Sequence, residues 1–169
     1  FPIKQQTLQI QYWKDMLGVA GFKESDIPGT WKDYWSFWCD QVQPGYRKAA
    51  NSGVFAVGSP MGVESSDSFW SFLSWADAYG VKLVDDTGKL LVDDPKVKAG
   101  LVSALRDYTA LHVKGCTPPA STAWKDSDND EAFDGRSVVL THARAMSIVA
   151  KWLDIANNTA LSAEQRAAG

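Results

Sequence analysis

Apolar residues follow two spacings along this chain. Polarity alternates over residues 7–12, which predicts a strand, and the apolar runs at residues 54–57 and 137–141 predict two buried strands. Between them, apolar residues recur every three or four positions, as on one face of a helix. Strands interleaved with helices predict a single α/β domain over residues 1–169.

Capping residues place the ends of two long helices. Thr30 is a good N-cap, and the helix that follows is expected to end at residues 43–45, which read Gln-Pro-Gly. Asp94 with Pro95 predicts the start of another helix, which keeps its apolar period up to Gly115.

Weaker patterns fill the remaining chain. We expect a helix capped within residues 66–68, a hairpin pairing residues 81–84 with 90–92, and a long polar loop over residues 121–130. The tail from residue 146 onward is expected to be helical with a break near Asn157.

Composition limits the classes of function. The chain has 169 residues, 45% hydrophobic and 22% charged, which suits one domain with a buried core. The formal net charge is −3 and no Lys/Arg cluster occurs, which argues against nucleic-acid binding. No apolar run approaches the length of a membrane span, and no signal peptide is present. The opening Phe1-Pro2 is what we expect of a segment of a longer chain.

Two cysteines, Cys39 and Cys116, permit one disulfide without proving it. Neither lies in a Cys/His spacing typical of zinc, so no metal site is expected there. Asp126, Asp128 and Asp130 have the spacing of a calcium loop. The loop lacks the required Gly and the final Glu, so a solvated loop is the simpler interpretation.

Five short motifs occur in a characteristic order. They are Ile10-Gln11-Tyr12-Trp13-Lys14-Asp15-Met16-Leu17, then Ala20-Gly21-Phe22 followed by Pro28-Gly29-Thr30-Trp31, then residues 69–80, then Asp85-Asp86-Thr87-Gly88 with Asp93-Asp94-Pro95, and finally Ala132-Phe133-Asp134-Gly135-Arg136-Ser137-Val138-Val139. In this order they resemble the extracellular solute-binding proteins of family 1 of ABC importers, of the maltose and multiple-sugar type. The resemblance extends from Phe1 to about Ala150.

That resemblance implies a lobe of the type II periplasmic-binding-protein fold, with a mixed sheet flanked by helices. The chain would form most of the C-terminal lobe of a longer, two-lobed protein. Its implied function is to capture a sugar or similar small polar solute in an interlobe cleft, in the periplasm, and to deliver it to an ABC permease. No cofactor and no catalysis are implied.

The resemblance also places candidate ligand contacts after the buried strands. These are Ser59, Phe69, Trp70, Trp124, His142 and Arg144. Each has a structural alternative: Trp70 suits a core, His142 suits a hydrogen-bonded buried histidine, and Arg144 suits a surface ion pair. The family often has an aromatic residue after the second strand, but residues 141–145 here contain none. A maltodextrin-like stacking mode is therefore in doubt, and a small polar or charged ligand becomes an option.

Two other classes of function stay open. One is a hydrolytic enzyme, such as one acting on glycosides. No GxSxG, HExxH, P-loop or GxGxxG motif occurs to indicate a catalytic site. A stand-alone interaction domain would present a large apolar surface without a cleft. The stripe of Trp31, Trp35 and Trp38 is assigned to the core rather than to either kind of site.

Overall fold

One mixed sheet of three short strands organises the protein. In this computed structural model the described residues are 8–143 and 147–167. Strand β1 (Gln9–Tyr12) runs antiparallel to the central strand β3 (Val138–Ala143), and β2 (Phe55–Gly58) runs parallel to β3. All six residues of β3 are buried, as expected of a central strand covered on both faces.

Helices cover the sheet and fill the connections. The α-helices are α1 (Lys14–Val19), α2 (Trp31–Phe37), α3 (Gln43–Ala50), α4 (Ser66–Ala78), α5 (Pro95–Val113), α6 (Asp128–Asp134), α7 (Ser147–Asn157) and α8 (Ala163–Ala167). Two 3₁₀ turns, Glu24–Asp26 and Pro119–Ala123, and one π-helical turn, Trp38–Val42, complete the elements. Together with the mixed sheet, this arrangement confirms the predicted α/β class.

The helix that begins after Thr30 is longer than predicted. The Thr30 hydroxyl caps α2 by accepting from the Asp33 N–H at 3.4 Å. The expected stop at Pro44 is wrong, because the helical segment continues through the π-helical turn into α3. Its last helical residue is Ala50, and Asn51 is the C-cap. Pro44 lies in the first turn of α3, directly after the π-helical turn. The backbone hydrogen-bonding pattern already changes there, so a missing N–H does not end the helix.

The polar stretch at residues 121–130 is also not the long loop that its composition predicts. It contains part of a 3₁₀ turn and the start of α6. Asp128 accepts a hydrogen bond from the Lys125 N–H at 2.7 Å, and buried Asn129 donates to the Thr141 hydroxyl at 3.1 Å. Tertiary hydrogen bonds therefore order polar residues that would otherwise favour a loop.

The predicted hairpin forms only in part. Residues 81–84 and 90–92 meet in one isolated bridge, Val84 with Leu90, and do not form paired strands. Asp85 fixes the turn between them by accepting from the N–H groups of Thr87 and Lys89. Gly88 takes the left-handed backbone conformation, at φ +87°, that this turn requires.

The main core is aromatic. Trp38 is completely buried, and Trp35 stacks on Trp75 with ring centroids 5.2 Å apart. Trp31 meets both Trp35 and Trp75 edge to face. These contacts confirm that the tryptophan stripe belongs to the core. It packs with buried aliphatic residues of α1, β2 and β3, namely Met16, Leu17, Val57, Val139 and Leu140.

One covalent link and one pair of hydrogen bonds fasten this core to the segment that follows α5. Cys39, in the π-helical turn, is joined as a disulfide to Cys116, with Cα atoms 5.2 Å apart. The buried amide of Gln43 donates to the Gly115 carbonyl at 2.9 Å and accepts from the Ala56 N–H at 2.6 Å. The segment after α5 is thus held against both the π-helical turn and β2. Within the described ranges, no helix combines the length and apolarity needed to cross a membrane.

Candidate functional site

The carboxyl ends of the two parallel strands lie side by side. Gly58, the last residue of β2, is in register with Thr141 of β3, and the Thr141 hydroxyl donates to the Gly58 carbonyl at 2.9 Å. Because β1 is antiparallel, its first residue, Gln9, also lies at this edge, opposite Ala143. Loops beyond such strand ends are where open α/β sheets bind ligands. We call this region the strand-end edge.

The loop after β2 packs closely against the segment that carries Trp124. The Met61 N–H donates to the Ser121 carbonyl at 2.8 Å. A Cβ on Gly62 would lie 2.9 Å from the Thr122 carbonyl oxygen, so only glycine allows this approach. Ser59 itself is fully buried, which places its hydroxyl beneath the surface of the edge rather than on it.

Two aromatic side chains are exposed in the first turns of α4. Phe69 is 57% exposed and Trp70 is 42% exposed, and their ring centroids lie 5.4 Å apart. The structure therefore places Trp70 at the surface and not in the core. We call Phe69 and Trp70 the exposed aromatic pair.

The amino end of α4 is occupied by a carboxylate from the protein itself. One oxygen of Asp126 accepts from the Ser65 hydroxyl at 2.7 Å and from the Asp67 N–H at 3.2 Å, and the other accepts from the Ser66 hydroxyl at 2.8 Å. These donors, the Ser65 hydroxyl first among them, hold the pKa of Asp126 below its ordinary value. Sequence reasoning assigned Asp126 to a solvated loop and missed this role, because its partners lie about 60 residues away.

Trp124 is half-buried. It packs against a small second core cluster formed by Phe133, Val138, Ala143 and Ile148. Its carbonyl oxygen lies 3.0 Å from where a Cβ on Gly62 would be. Trp124 therefore lies beside the loop that follows β2, at the same strand-end edge as Ser59.

His142 is inside the lobe. Its ring meets Trp35 edge to face, with centroids 5.0 Å apart, and its carbonyl accepts from Asn129 at 2.8 Å. Burial lowers the pKa of His142 to about 4, so the imidazole is neutral at pH 7. Its Nδ1 has no hydrogen-bond partner among the described residues. In this structure the imidazole faces the aromatic core and not the strand-end edge.

The predicted contacts thus fall into three groups. Phe69 and Trp70 are exposed on α4 and Trp124 is half-buried beside the loop that follows β2, whereas Ser59 and His142 are buried. The assignment of these five residues as ligand contacts stays a prediction. Arg144 lies outside the described residues, so its assignment as a ligand contact stays a prediction.

The aspartates with calcium-loop spacing are engaged within the protein. Asp126 accepts from α4, Asp128 from the Lys125 N–H, and Asp130 from the side-chain amide of Asn129. Within residues 8–143 and 147–167, no group of three or more His, Cys, Asp or Glu side chains is placed to hold a metal ion.

A small pocket of about 140 Å³ opens elsewhere, between the aromatic core and α5. None of the predicted ligand contacts lines it; its walls are Lys32, Trp35, Ser36, Cys39, Trp75, Asp107, Ala110, Leu111 and Lys114. Pockets for drug-sized ligands hold roughly 300–1,000 Å³, so this one has room for little more than one small ring. The strand-end edge therefore remains the candidate site.

Comparison with known proteins gives relatives in structure but not in sequence. No family model and no curated protein matches the chain. An ABC transporter solute-binding protein from Thermotoga lettingae TMO, with bound α-D-tagatose, matches with a TM-score of 0.67 and 21% identity, over 89% of this chain and 37% of that one. Maltose-bound MalE3 of T. maritima matches with a TM-score of 0.58 and 20% identity, over 80% and 31%.

A third solved structure, an ABC transporter solute-binding protein from Agrobacterium vitis S4 with bound D-mannitol, matches with a TM-score of 0.58 and 20% identity, over 94% of this chain and 34% of that one. The chain thus spans about a third of the length of the solved proteins it matches. This likeness agrees with the mixed sheet, the flanking helices and the shared edge of β2 and β3. The chain therefore has the α/β fold of a lobe of the ABC transporter solute-binding proteins, as its motifs predict.

Proposed function

We propose that the chain is part of the solute-binding component of an ABC importer and captures a sugar or polyol at the strand-end edge. The observation that carries this proposal is the fold itself, which is shared with solved proteins that hold maltose, α-D-tagatose or D-mannitol. The carboxyl ends of β2 and β3 at one edge, with the loop that follows β2 and Trp124 beside that loop, support the same function.

The chemistry of the edge suits a hydroxylated ligand. A sugar or polyol presents apolar C–H groups, which pack on aromatic rings, and hydroxyl groups, which need hydrogen-bond partners. The exposed aromatic pair and Trp124 offer the first kind of contact. Backbone groups of the loop after β2, together with Arg144, are proposed to supply the second.

Capture requires a second surface. A single lobe contacts only one side of a ligand, and closing another lobe over it would bury the ligand between the two. The isolated lobe is therefore expected to bind weakly, since half of the contacts are absent. We assign the chain to the C-terminal lobe of a two-lobed periplasmic protein that docks to an ABC permease and does not make or break bonds in its ligand.

A thermal-shift screen of the full-length protein tests this function. D-mannitol, D-tagatose and maltose are the first probes, because a ligand at about 100 times its Kd stabilises the folded state by roughly 2.7 kcal/mol. Trp70→Ala should weaken the response to the active ligand. Leu90→Ala, at another exposed apolar residue in the turn region, serves as the matched control. If no sugar or polyol raises the melting temperature, the proposed function is wrong.

A further inference from the structure

Asp126 caps a helix to which it is not adjacent in sequence. Its three bonds reach residues 59 to 61 positions away in the chain. Asp94, in contrast, caps α5 locally, accepting from the N–H groups of Lys96 at 2.8 Å and Val97 at 3.1 Å. A local cap stabilises one helix end, whereas the cap from Asp126 also joins two separate segments.

Those two segments carry the aromatic side chains of the candidate site. Trp124 lies two residues before Asp126, and the exposed aromatic pair begins two residues after Asp67. Three residues before Trp124, the Ser121 carbonyl accepts a hydrogen bond from the Met61 N–H. The six-residue segment 121–126, which carries Trp124, is thus held at one end by Met61 and at the other by the start of α4.

The hydrogen bonds that Asp126 accepts favour a stable link between the two segments. An ionised carboxylate only accepts hydrogen bonds, and here it meets two hydroxyl donors and one N–H at the positive end of a helix. Hydrogen bonds to a charged group are stronger than those between neutral groups. Asp126 is nevertheless exposed, so water competes for it and its effect on global stability is expected to be small.

From this geometry we infer that Asp126 is a positioning residue of the candidate site. Its carboxylate holds the segment that carries Trp124 against the first turn of α4 and so sets the spacing between Trp124 and the exposed aromatic pair. The inference deepens the proposed function and rests on it for the ligand, a sugar or polyol. The link between the two segments stands on the contacts alone.

The test uses the full-length protein with Asp126→Ala, and with Asp94→Ala as the matched loss of a helix cap. Hydrogen exchange is measured on the amides of residues 120–126, since Pro119 has no N–H, and the affinities for D-mannitol, D-tagatose and maltose are measured by calorimetry. Losing charge-assisted bonds should speed exchange in residues 120–126 about tenfold or more in Asp126→Ala. Asp94→Ala should speed exchange only in the first turn of α5. Both variants should lower the Tm by no more than a few degrees.

Ligand affinity distinguishes a positioning role of Asp126 from a role in stability alone. Asp126→Ala should weaken binding of the active probe about tenfold, whereas Asp94→Ala should leave it unchanged. Asp126→Asn keeps an acceptor oxygen and should restore most of the affinity. Unchanged exchange in residues 120–126 would overturn the inference, and so would faster exchange with unchanged affinity. If the unsubstituted protein binds none of the probes, the proposed function fails, and the exchange rates alone decide whether Asp126 links the segments.

Discussion

The two groups of tryptophans show how one residue type serves opposite purposes in this lobe. Trp35, Trp38 and Trp75 are buried in the core cluster, whereas Trp70 is exposed on α4 and Trp124 is half-buried beside the loop that follows β2. In the buried group, Trp35 and Trp38 lie on α2 and the π-helical turn, and Trp75 lies on α4. The second group lies on an element end and a short connection. Trp70 and Trp75 lie on the same helix, so the face of α4 that carries each ring decides whether it is buried or exposed.

The buried group predicts the largest effect of any single substitution. Trp38→Ala removes a fully buried ring from the core, and we expect a loss of about 3–5 kcal/mol in the free energy of unfolding. Urea denaturation of the full-length protein measures this loss. A loss below about 1 kcal/mol, the size typical of a surface site, would contradict the assignment of Trp38 to the core.

The disulfide that borders the core comes next. Cys39 and Cys116 are 77 residues apart in sequence, and closing such a loop stabilises a protein by about 2–4 kcal/mol. The double variant Cys39→Ser with Cys116→Ser should therefore lower the free energy of unfolding by that amount under oxidising conditions. Titration of the unsubstituted protein with a thiol reagent, in denaturant without reductant, checks the disulfide directly. Two reactive thiols would show that the bond does not form.

His142 predicts a pH dependence of stability. Its pKa is about 4 when folded and about 6.5 when free, so the unfolded state binds the proton more tightly. Stability is therefore greatest above pH 6.5 and falls as the pH drops from 6.5 to 4, by a total of roughly 3 kcal/mol. His142→Gln should flatten this part of the profile. His112→Gln, at the other histidine, is the control, and equal profiles in His142→Gln and the unsubstituted protein would refute the burial of His142.

The smallest effect on stability is expected at the exposed Trp70. Trp70→Ala removes a ring that is already 42% exposed, so the free energy of unfolding should change by no more than about 1 kcal/mol. Comparing its urea midpoint with that of Trp38→Ala measures the contrast between the two groups of tryptophans. Equal losses in the two variants would erase the distinction between a core group and an edge group.

Local sequence signals predicted the elements well where packing agrees with them. The apolar runs at β2 and β3, the cap at Thr30 and the Asp94-Pro95 start of α5 all appear in the structure within a few residues. These features depend on side chains near one another in sequence. The α/β class follows from them, and the resemblance of the motifs supplied the kind of lobe.

The failures share a different cause. The sequence predicts a helix end at Pro44, because it gives no sign of the π-helical turn. The composition of residues 121–130 predicts a loop, because the partners of Asp126 and Asn129 lie far away in sequence, at the start of α4 and on β3. The burial of Ser59 and His142 likewise depends on how the helices cover the strand ends. Each of these features is decided by contacts between distant parts of the chain.

Hydrogen exchange with bound ligand tests the central claim most directly. The full-length protein is compared with and without a saturating solute found by the thermal-shift screen. We predict that the new protection in this lobe falls on the loop at residues 59–62, on the segment at residues 120–126 and on the start of α4. Protection confined to the walls of the small pocket beside Cys39, with these loops unchanged, would contradict the assignment of the strand-end edge as the binding site.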